Sequence, residues 1–190
     1  MKILAFAGSA RRDSFNKRVL SIATRSARAA GAEVNEIDLG DFPLPLYDGD
    51  LERASGLPEN AVRLRQLMLE HQGLLLACPE YNSSITALMK NTLDWLSRPH
   101  KGESGRIPYQ DKVAGLVAAS NGNLGGVRGL YTVRQVLTAL SVLVIPEQVA
   151  VARFEQLMGA DGRLTDPNMQ AAVEGVGTAL ARMVGRMCST

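Results

Sequence analysis

Two rhythms of apolar and polar positions alternate along the chain. Lys2–Ala7 is almost wholly apolar, which predicts a strand buried on both faces. From Phe15 onward Val19, Ile22, Ala23, Ala27 and Ala30 share one helical face, and Gly31 ends the pattern. Residues 33–39 read as a second strand. In residues 41–50 two prolines and a glycine predict irregular backbone. Residues 57–71 carry a helical pattern with Pro58 in its first turn. Residues 73–78 form a third strand without a polar side chain. A helix is expected over 84–97, and Pro99 lies just past its end. A polar loop, 100–111, leads to a fourth strand over 113–119. Val127, Leu130, Leu137 and Leu140 mark the next helix. A fifth strand covers 142–145, with Val151 as its furthest reach, and a helix over 167–187 follows.

Strands this apolar need cover on both faces, so a parallel sheet with helices on each side is expected. The expected fold class is α/β, a doubly wound five-stranded parallel sheet with helices on both faces. Residues 1–190 read as one domain. The hydrophobic share of 46% suffices for a sizeable core, and no apolar run approaches the roughly 20 residues that cross a membrane. A formal charge of +2 is too small to indicate nucleic acid. Cys78 and Cys188 lack metal-like spacing and suggest no disulfide framework, which fits a reducing cytoplasm.

Sheets of this kind bind ligands beyond the carboxyl ends of their strands. Three loops therefore matter: GSARRDSFN (8–16), PEYNSS (79–84) and SNGNLGG (120–126). In the first, Ser9 and Ser14 offer hydroxyls, Asn16 an amide and Arg11 a fork for phosphate oxygens, at the start of a helix whose free N–H groups attract an anion. Read one by one, Gly8 is a turn residue, Ser14 an N-cap and the arginines a solvated face; together they make a phosphate site. The loop lacks the lysine of a triphosphate-binding loop and the second and third glycines of a dinucleotide fold. In the second loop, Pro79, Glu80, Tyr81 and Asn82 can border a flat heterocycle or cap the following helix. Cys78 reads as a small buried residue, His71 as a surface residue at a helix end, and His100 as solvated charge.

GSARRDSFN, DFPLPLYDGDLE, LLLACPEYNSSITALMKNTLDWLSRP and VRGLYTVRQVL resemble, in order and over nearly the whole chain, the NAD(P)H-dependent FMN reductases. These are flavodoxin-like enzymes that include quinone, chromate and azo-dye reductases, and the resemblance implies a flavodoxin-like doubly wound five-stranded parallel sheet in the order 2-1-3-4-5. The resemblance implies non-covalent FMN, with Ser9, Arg11, Ser14, Phe15 and Asn16 on its phosphate, Pro79, Glu80, Tyr81 and Asn82 at its ring, and Ser120 and Asn121 approaching from the third loop. NAD(P)H would be the co-substrate and a small molecule the electron acceptor, with no catalytic side chain and no metal. It also implies a homodimer or homotetramer, for which Arg128, Tyr131 and Glu147 form a candidate polar network. Thr86-Ala87 stands where the family commonly has Pro-Gly, a change expected to loosen the helix start or reshape the substrate pocket. A flavodoxin-type electron carrier and a non-catalytic flavin-binding module are the alternatives to a reductase.

Overall fold

The computed structural model describes residues 1–188. Five parallel strands make the main sheet: β1 (Lys2–Ala7), β2 (Glu33–Ile37), β3 (Gly73–Ala77), β6 (Val113–Ala119) and β7 (Leu143–Val151). Two short strands, β4 (Glu80–Tyr81) and β5 (Ser84–Ile85), pair separately as an antiparallel hairpin. The sheet order is β2-β1-β3-β6-β7, the expected doubly wound topology. Chain direction across the sheet reverses between β1 and β3, which opens a crevice at their carboxyl ends.

The period-two geometry of the strands divides the core. Ile3, Ala5, Leu75, Ala77 and Val117 point to the face covered by α1 (Phe15–Ala29) and α7 (Pro167–Cys188). Leu4, Phe6, Leu74, Leu76 and Leu116 point to the other face. There α3 (Glu59–Glu70), α4 (Ala87–Leu96) and α5 (Val127–Ala139) supply Leu64, Met68, Met89, Leu93, Leu130 and Val133. Among the described residues no helix is long and apolar enough to cross a membrane.

Several expectations change in detail. The proline-rich segment ends in a helix, α2 (Gly49–Ser55), started by Asp48, whose carboxylate accepts the Asp50 N–H at 2.7 Å. The segment before it is pinned to α4: Asn91 accepts from Tyr47 N–H at 2.8 Å, and Asn91 and Trp95 both donate to the Pro45 carbonyl at 2.8 Å. The helix expected from residue 84 starts at Ala87, because residues 80–85 fold back as the β4–β5 hairpin. Asn82 and Ser83 turn it with φ of 51° and 67°, the paired left-handed geometry of a two-residue hairpin.

The fifth strand runs through Pro146 to Val151. It is an edge strand, where a missing N–H is tolerated. The register slips between Ala114 and Leu116, and Arg134 of α5 spans the irregularity. Its guanidinium donates to the carbonyls of Val144 (3.1 Å) and Ile145 (2.7 Å) and to Gln148 Oε1 (3.0 Å). A four-residue helix, α6 (Phe154–Leu157), follows β7. His71, expected at the surface, is buried: its Nδ1 sits 2.6 Å from the Leu67 carbonyl, closing the end of α3 as the chain turns inward to β3.

Candidate functional site

The loops after β1, β3 and β6 converge on one cleft of about 160 Å³. Its walls contain Ser9, Arg11, Ser14, Phe15 and Asn16 from the first loop, Pro79, Glu80 and Tyr81 from the second, and Ala119, Ser120 and Asn121 from the third. Every candidate named from the sequence is there except Asn82, which sits at the hairpin turn. A larger hollow of about 590 Å³ lies between β7 and α7. It is away from the switch point and mixes Glu147 and Glu174 with Arg182, so it is no anion cradle.

The first loop is built of donors. Ser14 precedes α1, yet its side chain makes no cap bond. The first helical bond runs from Arg18 N–H to the Ser14 carbonyl, which leaves the N–H groups of Phe15, Asn16 and Lys17 at the positive end of the helix dipole. Ser9 and Ser14 are buried, and Asp13 is exposed and outside the cleft. A tetrahedral dianion suits this donor set. The Arg11 guanidinium rests 5.9 Å from the Phe15 ring centroid, and Phe15 in turn packs on Phe154 at 5.2 Å. That packing holds the loop's one aromatic ring in the cleft wall.

Asn16, expected as a phosphate ligand, has its amide occupied. Nδ2 donates to the Ala119 carbonyl at 2.9 Å and Oδ1 accepts the Ala119 N–H at 3.1 Å. β3 has turned away at this level, after Cys78 N–H reaches the Val117 carbonyl, so the Asn16 amide takes the place of the next strand residue. The side chain is a strut between the first and third loops, and the backbone N–H is what Asn16 can offer an anion. Asn121 is similarly engaged: it donates to Glu155 Oε2 at 2.7 Å and accepts the Glu155 N–H at 3.1 Å.

Glu80 caps α5 from outside the helix. Gly126 stands at the N-cap in a left-handed conformation (φ 98°), where an added Cβ would lie 3.0 Å from Ala118 Cβ. Glycine carries no capping oxygen, and the Glu80 carboxylate supplies one, accepting N–H groups of Arg128 at 3.0 Å and Gly129 at 3.3 Å. The Arg128 Nε donates to the same carboxylate at 2.7 Å. The Glu80 side chain is 8% exposed and that of Arg128 is 52% exposed. Burial alone would raise the Glu80 pKa, but these hydrogen bonds and the guanidinium charge outweigh it and hold the carboxyl below its usual value. Arg128, expected in a network with Tyr131 and Glu147, is thus paired within its own chain. Tyr131 and Glu147 are exposed.

Two contributors escaped the sequence reading. Arg128 was not linked to Glu80, since 48 residues separate them. Thr86 is buried, and its hydroxyl accepts the Met89 N–H at 3.1 Å, so it caps α4 where a loosened helix start was expected. The Thr-x-x-Met spacing before an apolar helix was the available signal.

A doubly wound sheet with a donor-lined cleft at its switch point, faced by a proline-braced hairpin, has the architecture of the flavodoxin-like class. Comparison with known proteins narrows this. The family model for NADPH-dependent FMN reductase matches residues 1–156. An NAD(P)H-dependent FMN reductase of Pseudomonas aeruginosa is 32% identical over 189 residues, covering 98% of this chain and 97% of that protein. An NADPH:quinone oxidoreductase of Arabidopsis thaliana is 33% identical over 171 residues, 87% of this chain and 83% of that one. The fold is shared with a flavoenzyme NAD(P)H:acceptor oxidoreductase of Paracoccus denitrificans, at a TM-score of 0.80 and 24% identity over 98% of both chains. The chain belongs to the NADPH-dependent FMN reductase family and is an NAD(P)H-dependent flavin oxidoreductase.

Proposed function

We propose that the single domain of residues 1–190 holds FMN non-covalently in the cleft and passes two electrons from NAD(P)H to a small quinone. The observation that carries this reading is the meeting of an uncapped helix start, two buried hydroxyls and Arg11 with the Pro79–Tyr81 wall in one cleft. The N–H groups of Phe15, Asn16 and Lys17, the hydroxyls of Ser9 and Ser14, and Arg11 receive the phosphate. The backbone of Pro79 to Tyr81 borders the ring edge, and Ser120 closes the third side.

FMN, when bound, supplies the hydride-accepting and electron-donating chemistry. The protein's part is to bind, orient and partly dry the reactants. No histidine lines the cleft, and we assign no side chain an acid–base role. Tyr81 is 57% exposed at the rim, where its ring offers a face for a flat acceptor or nicotinamide. Relatives named quinone reductase in Escherichia coli and NADPH:quinone oxidoreductase in Arabidopsis thaliana support quinone over chromate or an azo dye. The cysteine usage supports a reducing cytoplasm as the setting. Assembly as a homodimer or homotetramer rests on exposed Tyr131 and Glu147, with Arg128 contributing the part of its guanidinium not held by Glu80.

The test is an anaerobic spectrum of the purified protein. NADPH is expected to bleach the flavin bands within seconds, and a stoichiometric quinone to restore them. Faster recovery with chromate or an azo dye than with quinone would overturn the acceptor. Bands that neither NADPH nor NADH bleaches would overturn the reductase reading.

A further inference from the structure

Thr86 touches neither the cleft nor solvent, yet it joins the two walls of the site. Its hydroxyl donates to the Gly8 carbonyl at 2.7 Å while accepting the Met89 N–H at 3.1 Å. Gly8 is the first residue past β1, and its N–H already reaches the Ala77 carbonyl of β3 at 2.9 Å. Both polar groups of Gly8 are therefore tied to the segment that carries the hairpin. The approach is close: a Cβ on Gly8 would sit 3.0 Å from Met89 Cβ and 3.2 Å from Thr86 Oγ1. The peptide that Thr86 grips is the one leading into Ser9, the first hydroxyl of the phosphate cradle. The same hairpin is held at its other end by Glu80 on α5.

We propose that Thr86 is a positioning residue for the flavin phosphate: its hydroxyl fixes the Gly8–Ser9 peptide and couples the cradle to the ring-side hairpin. The inference rests on the FMN reading and adds a residue that does not itself touch the ligand. The backbone at Thr86, φ −69° and ψ 153°, is one that proline adopts. A proline here would fit the chain but could not hold Gly8.

The phosphate-dependent part of flavin affinity is the readout, taken as the ratio of the riboflavin Kd to the FMN Kd. Both are titrated by fluorescence quenching on the full chain stripped of flavin. Thr86→Val removes the hydroxyl at constant shape, and Thr86→Pro removes it in a backbone suited to the ring. Each is expected to lower the ratio about tenfold, the factor that one hydrogen bond's net contribution supplies. Thr86→Ser, which keeps the hydroxyl, is expected to stay within about twofold of wild type, the ordinary scale of a conservative change. A Thr86→Pro protein with a wild-type ratio overturns the proposal, whatever its melting temperature, since a structural role alone would shift the melt and spare the ratio. A wild-type protein that binds riboflavin as tightly as FMN overturns the phosphate cradle itself and the role of Thr86 with it.

Discussion

Asn16→Ala removes a side chain that serves as a piece of the sheet. The amide makes two hydrogen bonds to Ala119, at 2.9 and 3.1 Å, across 103 residues of sequence. The site is 4% exposed, so water does not readily replace the lost partner. Truncation leaves the Ala119 N–H and C=O both unpaired, at about 1–3 kcal/mol each, or about 2–5 kcal/mol together after partial relaxation. Against an ordinary stability of about 5–15 kcal/mol this is a large fraction. For a chain of this size each kcal/mol moves the melting temperature about 2–4 °C, which places the drop at about 4–20 °C. The assay is a circular-dichroism melt of the flavin-free protein, so that ligand binding does not contribute. Asn16→Asp is expected to fall at least as far at neutral pH, because a carboxylate oxygen would replace the amide donor against the Ala119 carbonyl. An unchanged melt with weakened FMN binding would refute the reasoning and make the amide a ligand in place of a strut.

Arg11→Ala is expected to weaken FMN binding about tenfold or more while leaving riboflavin binding nearly unchanged, since a guanidinium–phosphate contact is charge-assisted; equal losses for both flavins in a fluorescence titration would remove Arg11 from the cradle. Glu80→Gln keeps an oxygen for α5 but loses the ion pair with Arg128. The Glu80 pKa is depressed on folding, so its contribution is full above its usual value of 4.5 and is lost as pH falls through the folded value. Urea unfolding should therefore show Glu80→Gln less stable than wild type at neutral pH, with the gap closing below about pH 4.5; a gap constant with pH would contradict the assignment. Burial pushes the Cys78 thiol far up from its ordinary pKa, while Cys188 is exposed. Iodoacetamide on the folded protein should add one group per chain, at Cys188, by mass spectrometry; rapid modification of Cys78 would mean that the β3 end opens.

Local pattern determined much of this protein. Continuous apolar runs at Lys2–Ala7, Gly73–Ala77 and Val113–Ala119 are strands with no polar face, and such strands stack in parallel under helices whatever surrounds them. From that topology alone the loops after the first, third and fourth main strands had to meet, and the cleft contains all but one of the residues named in them. Family motifs carried the rest of the identification.

What a side chain does inside the cleft was decided by partners far away in sequence. Asn16 has the right chemistry for a phosphate, yet the departure of β3 leaves Ala119 open and the amide goes there. Glu80 faces a helix start whose own N-cap is a glycine, a vacancy that exists only once α5 is packed against the hairpin. His71 looks like a surface histidine until the chain turns inward at Gly73 and buries it. The helix expected from residue 84 gave way to a hairpin because Asn82 and Ser83 accept positive φ and Glu80 anchors one arm. Helical spacing is a local property, whereas capping, strand completion and burial depend on which groups the fold leaves unsatisfied.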